Sequence, residues 1–190
     1  MPPASEPPPS SAADSRTGAP VTPLFGPAVE EVRTQNAHDP DTVSTHRSRW
    51  IRSHLLFGWG GLFLFALLGL VLEGLHAWKV PLYVDAGAET RRLLFRLAHA
   101  HGTLLSLLQL GFASTLEKMP ARFFPRPLGL ASGTLTGALL LLPMGFFLGG
   151  VEAVEGDPGS GIFLVPLGAF LLLVALGTTF FSCFSAGRGK

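Results

Sequence analysis

The sequence predicts an all-α integral membrane protein, a four-helix bundle preceded by a disordered N-terminal tail. Three observations predict it. The chain of 190 residues is 47% hydrophobic and 14% charged, with a mean hydropathy of +0.40, the balance of a membrane protein. Its apolar residues gather into four runs of membrane-spanning length. Nine of its sixteen prolines fall within the first 48 residues, where aliphatic periodicity is absent.

Taken in order, residues 1–48 form the tail. Rich in Pro, Ser and Ala, the segment cannot bury enough apolar area to offset the entropy of ordering, so it is expected to be disordered. Residues 49–190 form the membrane domain, with helices expected at about 53–76, 93–116, 128–150 and 161–184. Each run meets the ~20 residues needed to cross a ~30 Å hydrocarbon core. Lipid offers the backbone no hydrogen-bond partners, so uniform apolarity of this kind means helices. No secretory signal is recognisable, and the first spanning helix is expected to direct insertion itself.

The flanks set the expected orientation. The N-terminal flank, second loop and C-terminal tail carry Arg47, Arg49, Arg52, Lys118, Arg122, Arg126, Arg188 and Lys190. The first loop carries Lys79, Arg91, Arg92 and Arg96, and the third has only the acidic Glu152, Glu155 and Asp157. Eight basic residues against four favour both termini in the cytoplasm, here of a bacterial inner membrane. In the first loop, Trp78 and Tyr83 suit the interfacial aromatic belt, Asp85 suits an N-cap of the second helix, and Glu89 suits its first turn.

Composition also excludes. A net charge of +1 with no basic concentration argues against nucleic acid as a partner. A single cysteine, Cys183, rules out an internal disulfide and any cysteine-built zinc or iron–sulfur site. No catalytic triad, phosphate loop or dinucleotide fingerprint is apparent, and the stretch Gly58-Trp59-Gly60-Gly61 sits in an apolar helix without the context of a nucleotide motif. The acidic third loop is read as a solvated turn. The partners expected are the lipid bilayer and further copies of the chain, through the stripe Gly129, Gly133 and Gly137, where helix backbones can approach closely. Pro143 and Pro166 are expected to kink the third and fourth helices.

Ionisable residues inside apolar segments mark functional sites by default. The second helix holds His99 and His101, which 100° per residue places about 200° apart. His99 shares a small, weakly polar face with Gly102, Thr103 and Ser106, whereas His101 lies on the leucine side. His99 is therefore the first candidate ligand and His101 the second. Glu73 and His76 near the end of the first helix have the Glu-x-x-His spacing of di-iron bundles, but the second motif and the further glutamates such sites need are missing. If the first two helices form a hairpin, Glu73, His76, Arg92, Arg96 and His99 meet at one membrane interface. The other reading of this set is an interfacial ion-pair group with its arginines snorkelling to headgroups.

Ser53 and His54 at the start of the first helix, Pro81 and Tyr83 in the loop, and Arg96, His99, His101 and Gly102 in the second helix together carry a likeness. Over roughly residues 53–116 the chain resembles the four-helix membrane isomerases that include styrene oxide isomerase and hydroxylaminobenzene mutase. The resemblance implies an oligomer of four-helix subunits binding haem b, with the iron ligand falling on His99 and the iron polarising a C–O bond. The chain departs from the family pattern at Thr103–Ser106, where an Asn-Gly is expected. It departs again at Gly145, Phe146 and Phe147, where the family has a functional tyrosine. Two functions follow as expectations. One is a haem-binding membrane protein rearranging a small apolar substrate, and the other is a non-catalytic membrane subunit with no cofactor.

Overall fold

The computed structural model describes residues 40–118 and 126–187. The expected tail lies outside the described residues up to position 39, as do Arg122, Arg188 and Lys190. Four long helices carry the structure: α1 (Pro40–Ala77), α2 (Glu89–Lys118), α3 (Arg126–Val151) and α4 (Leu164–Gly187). A one-turn helix (Pro81–Val84) and a 3-10 turn (Ala86–Ala88) fill the first connection, and a second 3-10 turn (Ser160–Phe163) leads into α4.

The boundaries differ from expectation at both hairpin ends. α1 begins at Pro40, and so takes in the last residues of the segment read as a disordered tail. Proline supports a helix start because its missing N–H belongs to the first turn, where no intrahelical partner exists. Asp85 precedes the 3-10 turn and makes no side-chain cap, while Glu89 does occupy the first turn of α2. α3 runs as helix through Pro143. Pro166 is the third residue of α4, within the first turn rather than at an interior kink.

Three stretches are long and apolar enough to cross a membrane: Arg47–Ala77, Pro127–Val151 and Ser160–Ser185. α2, expected as the second of four, is not among them. Its hydropathy is lowered by His99, His101, Gln109 and several hydroxyl residues, and the reason lies in the packing. α2 sits between α1 and α3, α3 packs in turn on α4, and buried Ala98, Gly102, Leu105, Ser106, Gln109 and Phe112 line the length of α2. A helix covered by protein on two sides can carry polar groups that a lipid-facing helix cannot. Of the most apolar window, 11% is buried in α1 and 17% in α4 against 50% in α3, so α1 and α4 are the outward-facing flanks.

Two apolar clusters join the helices. Phe112, Leu116, Leu128, Ala131, Leu135 and Ala175 form one, with Trp50 against it. Leu94, Ala98, Leu105, Leu139, Leu142 and Phe146 form the other. Helix ends are closed by arginines from neighbouring elements. Arg47 of α1 donates to the carbonyls of Leu116 (2.8 Å) and Glu117 at the end of α2. Arg91 of α2 donates to the carbonyls of Gly150 (3.2 Å) and Ala153 (2.8 Å) at and beyond the end of α3. The last carbonyls of a helix have no partner of their own, so each guanidinium satisfies groups that burial would otherwise penalise.

Candidate functional site at the α1–α2 cavity

Ala66, Gly69, Glu73 and His76 recur at helical spacing along one face of α1. Opposite them α2 presents Arg96 and His99, one turn apart. Together with Leu72 and Tyr83 these residues line a cavity of about 490 Å³ between the two helices. The hairpin thus brings together Glu73, His76, Arg96 and His99 from the sequence-derived cluster.

His99 is held at the inner wall. Its Nδ1 lies 2.7 Å from the main-chain carbonyl oxygen of Phe65. A carbonyl can only accept, so Nδ1 carries the proton and donates it there. In the neutral ring Nε2 is then left with its lone pair, and it makes no hydrogen bond among the described residues. The ring lies flat against Gly69, where a Cβ would come within 2.5 Å of Cε1 and 3.1 Å of Nε2. Glycine at position 69 is what lets the imidazole reach the α1 backbone.

Around this nitrogen the cavity is polar and its charges are unspent. Glu73, His76 and Arg96 are exposed, and none makes a hydrogen bond or ion pair among the described residues. Tyr83 covers the cavity from the first connection, 2% exposed, and its hydroxyl has no hydrogen-bond partner among the described residues.

Arg92 does not join the cavity. It turns back to the first connection, where Nη1 donates to the carbonyls of Tyr83 (3.0 Å) and Asp85 (3.1 Å), with Glu89 3.9 Å from Nη2. The Asp85 carbonyl also accepts from the Ala88 amide at 2.9 Å, so the guanidinium adds to the hydrogen bonding of the turn itself. Its effect is to fix the main chain that carries Tyr83. His101 is also elsewhere. Its Nδ1 donates to Leu97 one turn back (2.9 Å), and its ring lies 4.9 Å from that of Phe146 on α3. The two histidines therefore serve different surfaces.

The remaining candidates resolve into packing. Within the glycine stripe, a Cβ at Gly129 would meet Trp50 at 3.3 Å and one at Gly137 would meet Leu171 at 2.9 Å, both inside the subunit. Only Gly133 has open space. Glu152 of the acidic loop accepts from the Ser160 amide (2.9 Å) and hydroxyl (2.7 Å) ahead of α4. These bonds hold its carboxyl below the ordinary carboxylate range, the side-chain bond from Ser160 contributing most.

Tyr83 is the residue that sequence reasoning assigned elsewhere, to the interfacial aromatic belt. The signal that could have found it is Val80–Pro81: proline favours the first position of a helix, and one turn there folds Tyr83 back over the hairpin. Among the described residues no three His, Cys, Asp or Glu side chains converge as a metal site. Comparison with protein families, with curated proteins and with solved structures gives no match to this chain.

Proposed function

We propose that the chain is a multi-pass membrane protein whose α1–α2 cavity binds haem b through His99 and acts on a small apolar substrate arriving from the bilayer. In this reading all four long helices cross the membrane, with both termini cytoplasmic in a bacterial inner membrane. α2 has 30 residues, about 45 Å of helix, enough to span beside α1 and α3.

The single observation that carries the proposal is the His99 arrangement. A histidine with its Nδ1 proton given to a main-chain carbonyl and its Nε2 lone pair left over is oriented as a metal ligand. One imidazole cannot hold a metal ion by itself, so the remaining ligands must come with the cofactor, as a porphyrin supplies them. The other residues fit such a group: Arg96 offers a cation for a propionate, and the small Ala66 leaves room along α1. Bound there, haem iron supplies an electrophile for a substrate oxygen. The chain's own part is to hold the ligand nitrogen, to offer the Tyr83 hydroxyl as a donor, and to place Glu73 and His76 as proton acceptors on the cavity wall. Tyr83 is also the available bearer of the tyrosine role for which the Gly145–Phe147 stretch has no hydroxyl.

A second reading, a non-catalytic membrane subunit, is favoured by Arg47, Arg91 and Arg92. All three are engaged on main-chain carbonyls rather than at a site. The absorption spectrum separates the two. Protein expressed with haem precursor and purified in mild detergent is expected to show a Soret band that shifts with dithionite. The band is expected to vanish in His99→Ala and to persist in His101→Ala. A featureless wild-type spectrum would leave the second reading.

A further inference from the structure

A separate polar network lies at the other end of α1. His54, 1% exposed, bridges α2 and α3. Its Nδ1 is hydrogen-bonded to Gln109 Oε1, and its Nε2 lies 2.8 Å from Ser132 Oγ. Phe112 packs edge-on against the imidazole at 4.7 Å between ring centres. Gln109 is fully buried, and its Nε2 makes no hydrogen bond, alone in this respect among the buried side-chain polar atoms described.

The directions of these bonds matter. Gln109 Oε1 can only accept, so Nδ1 of His54 carries the proton. Nε2 then has the lone pair and takes the hydrogen bond from the Ser132 hydroxyl. A glutamine serving only to join helices would be expected to use both ends of its amide. Here the oxygen is committed to His54 while the nitrogen goes without, which fixes one imidazole tautomer. Nucleophile, base and a third group orienting the base stand in the order that activates a serine.

The surroundings indicate what would react. Ser132 is partly exposed, whereas His54 and Gln109 are buried. α1 and α3 run in the same direction and in register: Gly61 lies seven residues after His54, Leu139 lies seven after Ser132, and a Cβ at Gly61 would be 3.9 Å from Leu139. Both line an apolar groove of about 580 Å³ between α1 and α3 that continues past Pro143. The groove therefore begins within two turns, about 10 Å, of the Ser132 hydroxyl. A long apolar chain lying in it would bring a polar head to Ser132.

We propose that Ser132 is a nucleophile for the acyl group of a membrane-borne ester, with His54 as its base, Gln109 as a positioning residue and the α1–α3 groove as the seat of the acyl chain. Ser132 Oγ bonds to the carbonyl carbon as His54 Nε2 takes its proton. The ester C–O bond breaks, and the departing alcohol leaves with that proton. Water, deprotonated by His54, then releases the carboxylic acid and restores the serine.

The test uses the full chain in mild detergent with dodecyl and ethyl fluorophosphonates, which react with activated serines by loss of fluoride. Mass spectrometry is expected to find one phosphonate on Ser132, and none anywhere in Ser132→Ala. His54→Gln keeps hydrogen-bonding groups but cannot take the proton, and it is expected to slow labelling at least tenfold. Gln109→Leu is expected to slow it similarly. Gln109→Glu, which offers acceptors alone, is expected to restore it, a rescue that loss of packing would not produce. Gly60 has open space around its Cβ and lines the groove, so Gly60→Leu is expected to slow the dodecyl probe and leave the ethyl probe unchanged. Absence of an adduct on wild-type Ser132, or labelling of His54→Gln at the wild-type rate, would overturn the proposal. Peptide mapping of the wild-type protein decides the matter even if a variant fails to fold.

Discussion

His99 on α2 donates its Nδ1 proton to the main-chain carbonyl of Phe65 on α1 at 2.7 Å, which fixes its tautomer and leaves the lone pair on Nε2. That contact depends on Gly69, whose missing side chain admits the ring. Gly69→Ala is expected to push the imidazole off the Phe65 carbonyl and, under the haem-binding proposal, to lower haem occupancy at least tenfold. Far-ultraviolet circular dichroism should stay at the wild-type level, because alanine favours the helix. Retention of the full Soret band in Gly69→Ala would show that the contact does not hold the ligand.

Arg92 acts on the cavity only through the main chain of Tyr83 and Asp85. Arg92→Ala is expected to free the one-turn helix and weaken ligand binding about tenfold. Tyr83→Phe is expected to keep the turn and lose only what the hydroxyl contributes. Titration of each variant with the cavity ligand, beside proteolysis of the first connection, distinguishes the two. Unchanged proteolysis in Arg92→Ala would count against this role.

Arg91 closes the end of α3 with two charged hydrogen bonds. Arg91→Ala is expected to destabilise the protein by about 1–3 kcal/mol, the loss associated with leaving the Ala153 carbonyl unpaired, since that of Gly150 also accepts from the Ala153 amide. Arg91→Lys is expected to recover part of it, since one ammonium cannot match the planar fork. Thermal melting in detergent measures both.

Glu152 gives a pH dependence whose sign can be worked out. Its carboxyl is depressed below the ordinary 4.5 by the Ser160 hydroxyl and amide. Stability from the ionised form is therefore present above 4.5 and lost as pH falls through the folded value. Glu152→Gln is expected to flatten this acid limb of the melting temperature and to leave neutral pH nearly unchanged. An acid limb as steep in Glu152→Gln as in wild type would assign the effect to other groups.

The glycine stripe divides by position. Gly137→Leu is expected to strike Leu171 and destabilise the subunit by about 1–3 kcal/mol, the usual penalty for overpacking. Gly133→Leu has open space and is expected to leave melting unchanged, so any shift it causes in oligomeric mass reports contact between copies.

Much of the fold was legible because it depends on local properties. Runs of apolar residues without backbone partners in lipid can only be helices, and three of them are long and apolar enough to cross a membrane. Glu73, His76, Arg96 and His99 could be placed together because helical spacing and a hairpin fix their faces and depths. The same reasoning put Arg92 in the cluster and left Tyr83 out. An arginine chooses among carbonyls that only the folded connection presents, and a tyrosine four residues beyond the α1 turn can point either way until that connection is built.

Composition and a 3.6-residue period are properties of a segment alone, so the helical, apolar character of the chain and the faces of α1 and α2 that carry ionisable groups could be read without a fold. Tertiary structure alone decided that α2 lies between α1 and α3, that Tyr83 covers the His99 cavity, and that His54, Gln109 and Ser132 meet across three helices. Those outcomes depend on the rotation and register of one helix against the next. Rotation and register are set where small residues such as Gly69 allow close approach, and no single segment encodes what will approach it.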